Sequence, residues 1–176
     1  GYANAGRHEL AEQTFNSALD IVREVGDRRS EGMILGNLAN VLAKTGRHEE
    51  AEQTFVLALG IHREVGNRSS EGVCLGHLGC LYAQTGRRAQ SLAAFEQAFP
   101  ALQQAQNRLF YALHRCDYAQ VLVAVGRHAE AKEVWLSAVA ILRELAYHAG
   151  IERVTASMRD ACTKAGISPF DAPLPA

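Results

Sequence analysis

Proline is scarce where it would do most damage: of four prolines in the 176 residues, Pro100 alone precedes position 168. An interior proline costs a helix about 3 kcal/mol, so the first 99 residues are free to be almost wholly helical. The four cysteines, Cys74, Cys80, Cys116 and Cys162, are dispersed and do not frame short loops, which excludes a disulfide scaffold and favours a reducing, cytoplasmic setting. No run approaches the roughly 20 apolar residues of a membrane span, and no charged-then-apolar leader opens the sequence. Neither charge sign dominates: the net charge is -1 and the pI about 6.7, against the basic excess of a nucleic-acid binder. Phosphate loops, nucleophile elbows, HExxH and paired carboxylates outside ordinary helix spacing are all missing, so the expectation is a protein that is not an enzyme and needs no cofactor.

What is present is periodic glycine. Five of the fifteen glycines fall at Gly6, Gly46, Gly86, Gly126 and Gly166, each 40 residues from the next. A fixed period of about 20 to 50 residues signals a repeat architecture without a single central core. The units open GRHELAEQTF, GRHEEAEQTF, GRRAQSLAAF and GRHAEAKEVW, and the first two agree at 25 of 40 positions, as a duplication would leave them. The expected organisation is an array over residues 1–165 with units 6–45, 46–85, 86–125 and 126–165. A stub at 1–5 precedes it and an irregular tail at 166–176 follows.

Each unit carries two amphipathic patterns. In the second, Ala51, Phe55, Ala58 and Leu59 recur at three- and four-residue spacing, predicting a helix from about Glu49 to Val65. Gly66 suits the left-handed position after it, and Asn67 suits the cap of a second helix from about Arg68 to Thr85 that buries Leu75, Leu78, Gly79 and Tyr82. Pro100 should kink the corresponding helix of the third unit. The last helix, from about Gly150 to Ala165, is polar, as a soluble solenoid end requires. Beyond it the tail is expected to fray, with Phe170 or Leu174 the candidates for folding back as a small cap.

These residues resemble the tetratricopeptide (TPR) signature of Leu-Gly with Tyr three residues on, followed by Ala, an aromatic and Ala. The match is Leu78, Gly79 and Tyr82 with Ser91, Phe95 and Ala98, and weaker copies are Leu38, Ala39 and Leu42 with Ala51, Phe55 and Ala58, and Tyr118, Ala119 and Leu122 with Ala131, Trp135 and Ala138. The resemblance implies an all-α, right-handed superhelical solenoid of antiparallel helix pairs, about four repeats long. The 40-residue period looks like the LGN/Pins subtype, also found in bacterial signalling proteins. It implies a protein-interaction scaffold or adaptor holding a peptide or helix in its concave groove; the alternative is a regulatory or sensor domain of a larger kinase, cyclase or transcription regulator. The apparent start within a helix at Tyr2 further suggests a missing upstream part or self-association through that end.

In TPR arrays the first helix of each pair lines the concave side, and a helical wheel finds its free face. Opposite the buried Leu35, Leu38, Ala39 and Leu42 lie Met33, Asn37, Asn40 and Lys44. Steps of 40 give Val73, His77 and Cys80, then Leu113, Asp117 and Gln120, then Arg153. The Met33, Val73 and Leu113 ladder is apolar and points away from the core, offering anchors to a ligand. Asn37 and Asn40 can each donate and accept, as recognition of peptide backbone requires, and they match groove asparagines of the LGN-type repeats. Lys44 and Arg153 set against Asp117 favour a ligand of mixed charge. A carboxylate clamp for chaperone tails is not reproduced, since Gly36, Gly76 and Cys116 stand where its cation would be expected.

Other constellations read as structural. Arg28, Arg68 and Arg108 recur at helix starts, placed to bond preceding carbonyls or to pair with Glu31 and Glu71. Cys74, His77 and Cys80 spread over about 120° of one helix and do not converge as metal ligands. His8, His48 and His128 belong to the turn motif GRH, and Trp135 and Phe55 fill the core. RNA reading by helical hairpins would need a basic concave face.

Overall fold

The computed structural model describes residues 2–170. Among these residues there are eight helices and no strand: α1 (Tyr2–Glu24), α2 (Arg28–Lys44), α3 (His48–Glu64), α4 (Arg68–Gln84), α5 (Arg88–Gln104), α6 (Arg108–Ala124), α7 (His128–Glu144) and α8 (His148–Lys164). The polypeptide is an all-α solenoid of antiparallel helix pairs.

The unit of construction is finer than the 40-residue period. Seven helices, α2 to α8, have 17 residues each, and a left-handed backbone residue closes every helix at positions 26, 46, 66, 86, 106, 126, 146 and 166. At the second of these turns after α2, Gly66 N–H donates to the Arg63 carbonyl and Asn67 N–H to that of His62, the paired bonds that satisfy a helix's last carbonyls. Glycine fills this position at every turn except two, where Gln106 (φ 54°) and Ala146 (φ 52°) take it. Asp27, Asn67 and Asn107 then cap α2, α4 and α6, accepting from the backbone N–H of Ser30, Ser70 and Phe110.

Within a pair, small residues set the closest approach. A Cβ on Gly79 would lie 2.9 Å from the Phe95 ring, and Ser91 Oγ donates to the Gly79 carbonyl at 2.7 Å. Ala51, Ser91 and Ala131 are fully buried at equivalent positions, beside Phe55, Phe95 and Trp135. Successive repeats are then stapled by arginines across the outside: Arg28 reaches Glu64, Arg68 reaches Gln104 and Arg108 reaches Glu144, each 36 residues on. Arg28 and Arg23 converge on the buried Glu31, and Arg68 and Arg63 on the buried Glu71. The arginine ladder is structural, and the hydrogen bond from Arg23, joined by that from Arg28 of the ladder, holds the Glu31 carboxyl below the usual range.

Three expectations are corrected or refined. Gly6 does not end a stub: α1 runs through it from Tyr2 to Glu24. Pro100 does not interrupt α5, which continues through it to Gln104. Residues 165–170, the described ones after α8, form no helix or strand, yet Ile167 and Phe170 pack on the second core cluster, so the tail's start is held; Leu174 lies outside the described residues.

Candidate functional site

The even-numbered helices make the inner layer. Consecutive inner helices α2, α4, α6 and α8 touch one another, whereas the outer helices α1, α3, α5 and α7 touch only inner ones. All eleven of the predicted site residues belong to these inner helices.

Contact between inner helices changes what those residues present. Met33 is 47% exposed, but Val73 and Leu113 are half-buried and pack against the two core clusters, because each neighbouring inner helix covers part of the face. The apolar ladder therefore offers one free anchor, with its other two rungs serving mainly as wall. Asn37 and Lys44 are exposed. Asn40 Nδ2 lies 3.1 Å from the Gly36 carbonyl and 3.1 Å from His77 Nδ1, bridging α2 to α4. Cys80 Sγ donates to Asp117 Oδ2 at 3.4 Å, bridging α4 to α6. Gln120 turns back to the Cys116 carbonyl at 3.3 Å, and Arg153 is exposed on α8. Lys44 and Arg153 make no ion pair among the described residues.

Three hollows follow one another along this face. The first, of about 310 Å³, is lined by Met33, Asn37, Asn40, Val73, His77 and Phe110 among others. It shares Asn40, Phe55 and His77 with a second of about 110 Å³ that adds Lys44, Cys80 and Gln84. Gln84 in turn borders a third of about 580 Å³ with Gln120, Asp160 and Lys164. Leu113, Asp117 and Arg153 line none of the three.

Beneath the first two hollows runs an aromatic floor. His77 lies 5.9 Å from Phe55, 6.4 Å from Phe110 and 5.4 Å from His114, ring centre to ring centre. Burial, reinforced by His114, pushes the His77 imidazole down to about 4, so it is neutral at physiological pH. Burial and the adjacent Asp117 raise the Cys80 thiol well above its ordinary value, leaving it a donor. The three residues Cys74, His77 and Cys80 do not converge: Cys74 points into the core and donates to the Phe55 carbonyl at 3.3 Å.

Phe110, which lines the first hollow, and His114, buried against His77, are the inner-layer residues that the helical wheel missed. The signal was a broken column: Ile34 and Cys74 precede His114 at steps of 40, so an imidazole stands where the earlier repeats place an apolar side chain. Gly76 is its counterpart, for a Cβ there would lie 2.2 Å from His114 Nε2. That close fit explains why no cation of a carboxylate clamp can occupy position 76.

The arrangement is that of a helical-repeat protein with a ligand-sized inner groove. The chain belongs to the tetratricopeptide repeat family: one tetratricopeptide repeat profile matches residues 2–59 and 30–104, and a second matches 112–136. The crystal structure of BtubC (BKLC) from P. vanneervenii is similar in fold, with a TM-score of 0.60 at 18% identity. That similarity covers 99% of this chain and 65% of BtubC, so the chain spans just under two thirds of that protein's length. No curated protein matches the sequence.

Proposed function

We propose that the concave face binds an extended or helical segment of a protein partner and that the array serves as a scaffold or adaptor. Tetratricopeptide repeats are in general protein-interaction modules. The observation that carries the reading to this face is the continuous run of hollows, in which the exposed Met33 sits beside the amides of Asn37 and Asn40 and the exposed cation of Lys44. An apolar anchor, hydrogen-bonding groups with both polarities and a free positive charge suit a peptide that carries an apolar side chain and a carboxylate.

Selection from a displayed random-peptide library tests this. Selected peptides should share an apolar residue near an acidic one, and the triple variant Met33→Ser, Asn37→Ala, Lys44→Ala should weaken them at least about tenfold while the melting temperature holds. Because the substituted side chains are exposed, retained affinity in a folded variant removes the groove from the function.

A further inference from the structure

We propose that Cys80, His114 and Asp117 form a zinc site between α4 and α6, beside the second hollow that Cys80 lines, with three protein ligands and a fourth position left for a further donor. Cys80 comes from α4, and His114 and Asp117 stand three residues apart on one face of α6, so the two helices bring the donors together across the inner layer. One donor atom from each lies within 4.8 Å of the other two. Cys80 Sγ is 3.4 Å and His114 Nδ1 3.6 Å from Asp117 Oδ2. Tetrahedral zinc with bonds of about 2.0–2.3 Å holds its ligand atoms roughly 3.3–3.6 Å apart, so two of the three edges are already near the required length.

The second, independent observation is His114 itself. It is 3% exposed, and neither ring nitrogen has a hydrogen-bond partner. A buried imidazole without partners forfeits the stabilisation that normally offsets its desolvation. The ring is also held in place. Gly76 leaves the room that its Nε2 edge occupies, Phe95 and Phe110 flank it at 6.1 and 5.8 Å, and Nδ1 is left facing the Asp117 carboxylate. A metal at that point gives Nδ1 the partner it lacks, with two of the three donor-to-donor edges already near their bound length.

The donor set selects the ion. Thiolate and imidazole are poor ligands for calcium or magnesium, and a single sulfur beside nitrogen and oxygen suits zinc better than copper(I). When zinc binds, the thiol proton that Cys80 now gives to Asp117 leaves to solvent and Sγ takes its place on the ion; no electron is transferred. Thiolate and carboxylate together balance the two positive charges, so a half-buried site stays neutral. Zinc binding needs no peptide partner, and it can therefore stand or fall apart from the proposed peptide binding.

Cobalt(II) substitution on the reduced, full chain tests the site. One equivalent should bind with a thiolate-to-cobalt charge-transfer band in the near ultraviolet, and one equivalent of zinc should remove that band. Cys80→Ser should abolish the band, Asp117→Asn should weaken binding at least about tenfold, and Cys74→Ala should leave both unchanged. His114→Phe should also abolish tight binding. If that buried substitution fails to fold, the partly exposed Cys80 and Asp117 variants carry the test, with circular dichroism confirming their helicity. Cobalt binding without a thiolate band, or a band that survives Cys80→Ser, overturns the proposal, since either result places the metal on surface histidines or another cysteine.

Discussion

Single residues explain where this repeat tolerates variation and where it does not. The turn after each helix requires a left-handed backbone, which costs an ordinary side chain roughly 1 kcal/mol and glycine almost nothing. Gln106 and Ala146 bear that cost at φ 54° and 52°. Gln106→Gly and Ala146→Gly should each stabilise the protein by about 1 kcal/mol, read as a higher urea midpoint at unchanged slope. Gly76 predicts the opposite. Although alanine is the better helix former, Gly76→Ala would press a methyl group within 2.2 Å of the His114 ring and should destabilise by about 1–3 kcal/mol in the same assay. A titration belongs at this scale too. His62 is 2% exposed against Gly32, and burial lowers its affinity for a proton below the ordinary 6.5, with Glu71 opposing and Arg29 assisting. Above pH 6.5 both folded and unfolded chains hold it neutral. As pH falls below that value the unfolded chain takes up the proton first, so the stability His62 leaves intact at neutral pH is lost toward its lowered folded value. Urea midpoints measured from pH 7.5 to 5 should fall more steeply for the wild type than for His62→Leu.

Helices were legible in the sequence to within a residue or so wherever apolar spacing and turn chemistry agreed. The predicted helix from Glu49 to Val65 is α3 at His48–Glu64, and the Asn67 cap accepts from Ser70 as its position implied. Where a turn has no glycine, as at Gln106 and Ala146, the 20-residue beat was hidden beneath the 40-residue one. Gly6 shows the converse: α1 continues through it, so a glycine in phase with the others is permissive of a turn and does not by itself make one. Pro100 is the third case. Its ring is exposed, and α5 runs past it because Ala94, Ala98, Ala101 and Leu102 on the other side are buried. Packing thus overrides a local penalty, but it does not remove that penalty. Residue 100 still lacks the N–H that would donate to the Glu96 carbonyl, so Pro100→Ala should raise unfolding free energy by about 1–3 kcal/mol. A neutral or destabilising result would mean that the proline shapes α5 in a way its neighbours require.

At the scale of the whole molecule, the sequence disclosed which helices make the inner layer but not how that layer is spaced. Helical wheels treat each helix alone, whereas the contacts that half-bury Val73 and Leu113, and that bring His114 against Gly76, arise between repeats. The same nearest-neighbour logic governs stability. In a solenoid each helix is held only by those beside it, so the interior should open last and the ends first. The two ends of this chain differ. α1 touches only α2, has Leu19 as its one buried large apolar side chain among those described, and exposes Leu10 and Ile21, with Val25 exposed in the turn after it. α8 touches both α6 and α7, buries Val154, Met158 and Cys162, and is followed by Ile167 and Phe170 packed on the same cluster. Hydrogen exchange read by mass spectrometry should therefore show α1 exchanging fastest, α8 intermediate, and α4 to α6 slowest. Phe170→Ala should speed exchange in α8 and leave α1 unaffected. Equal protection at both ends, or loss of protection throughout on Phe170→Ala, would show a chain that unfolds as one cooperative body, and the repeat would then describe its shape but not its energetics.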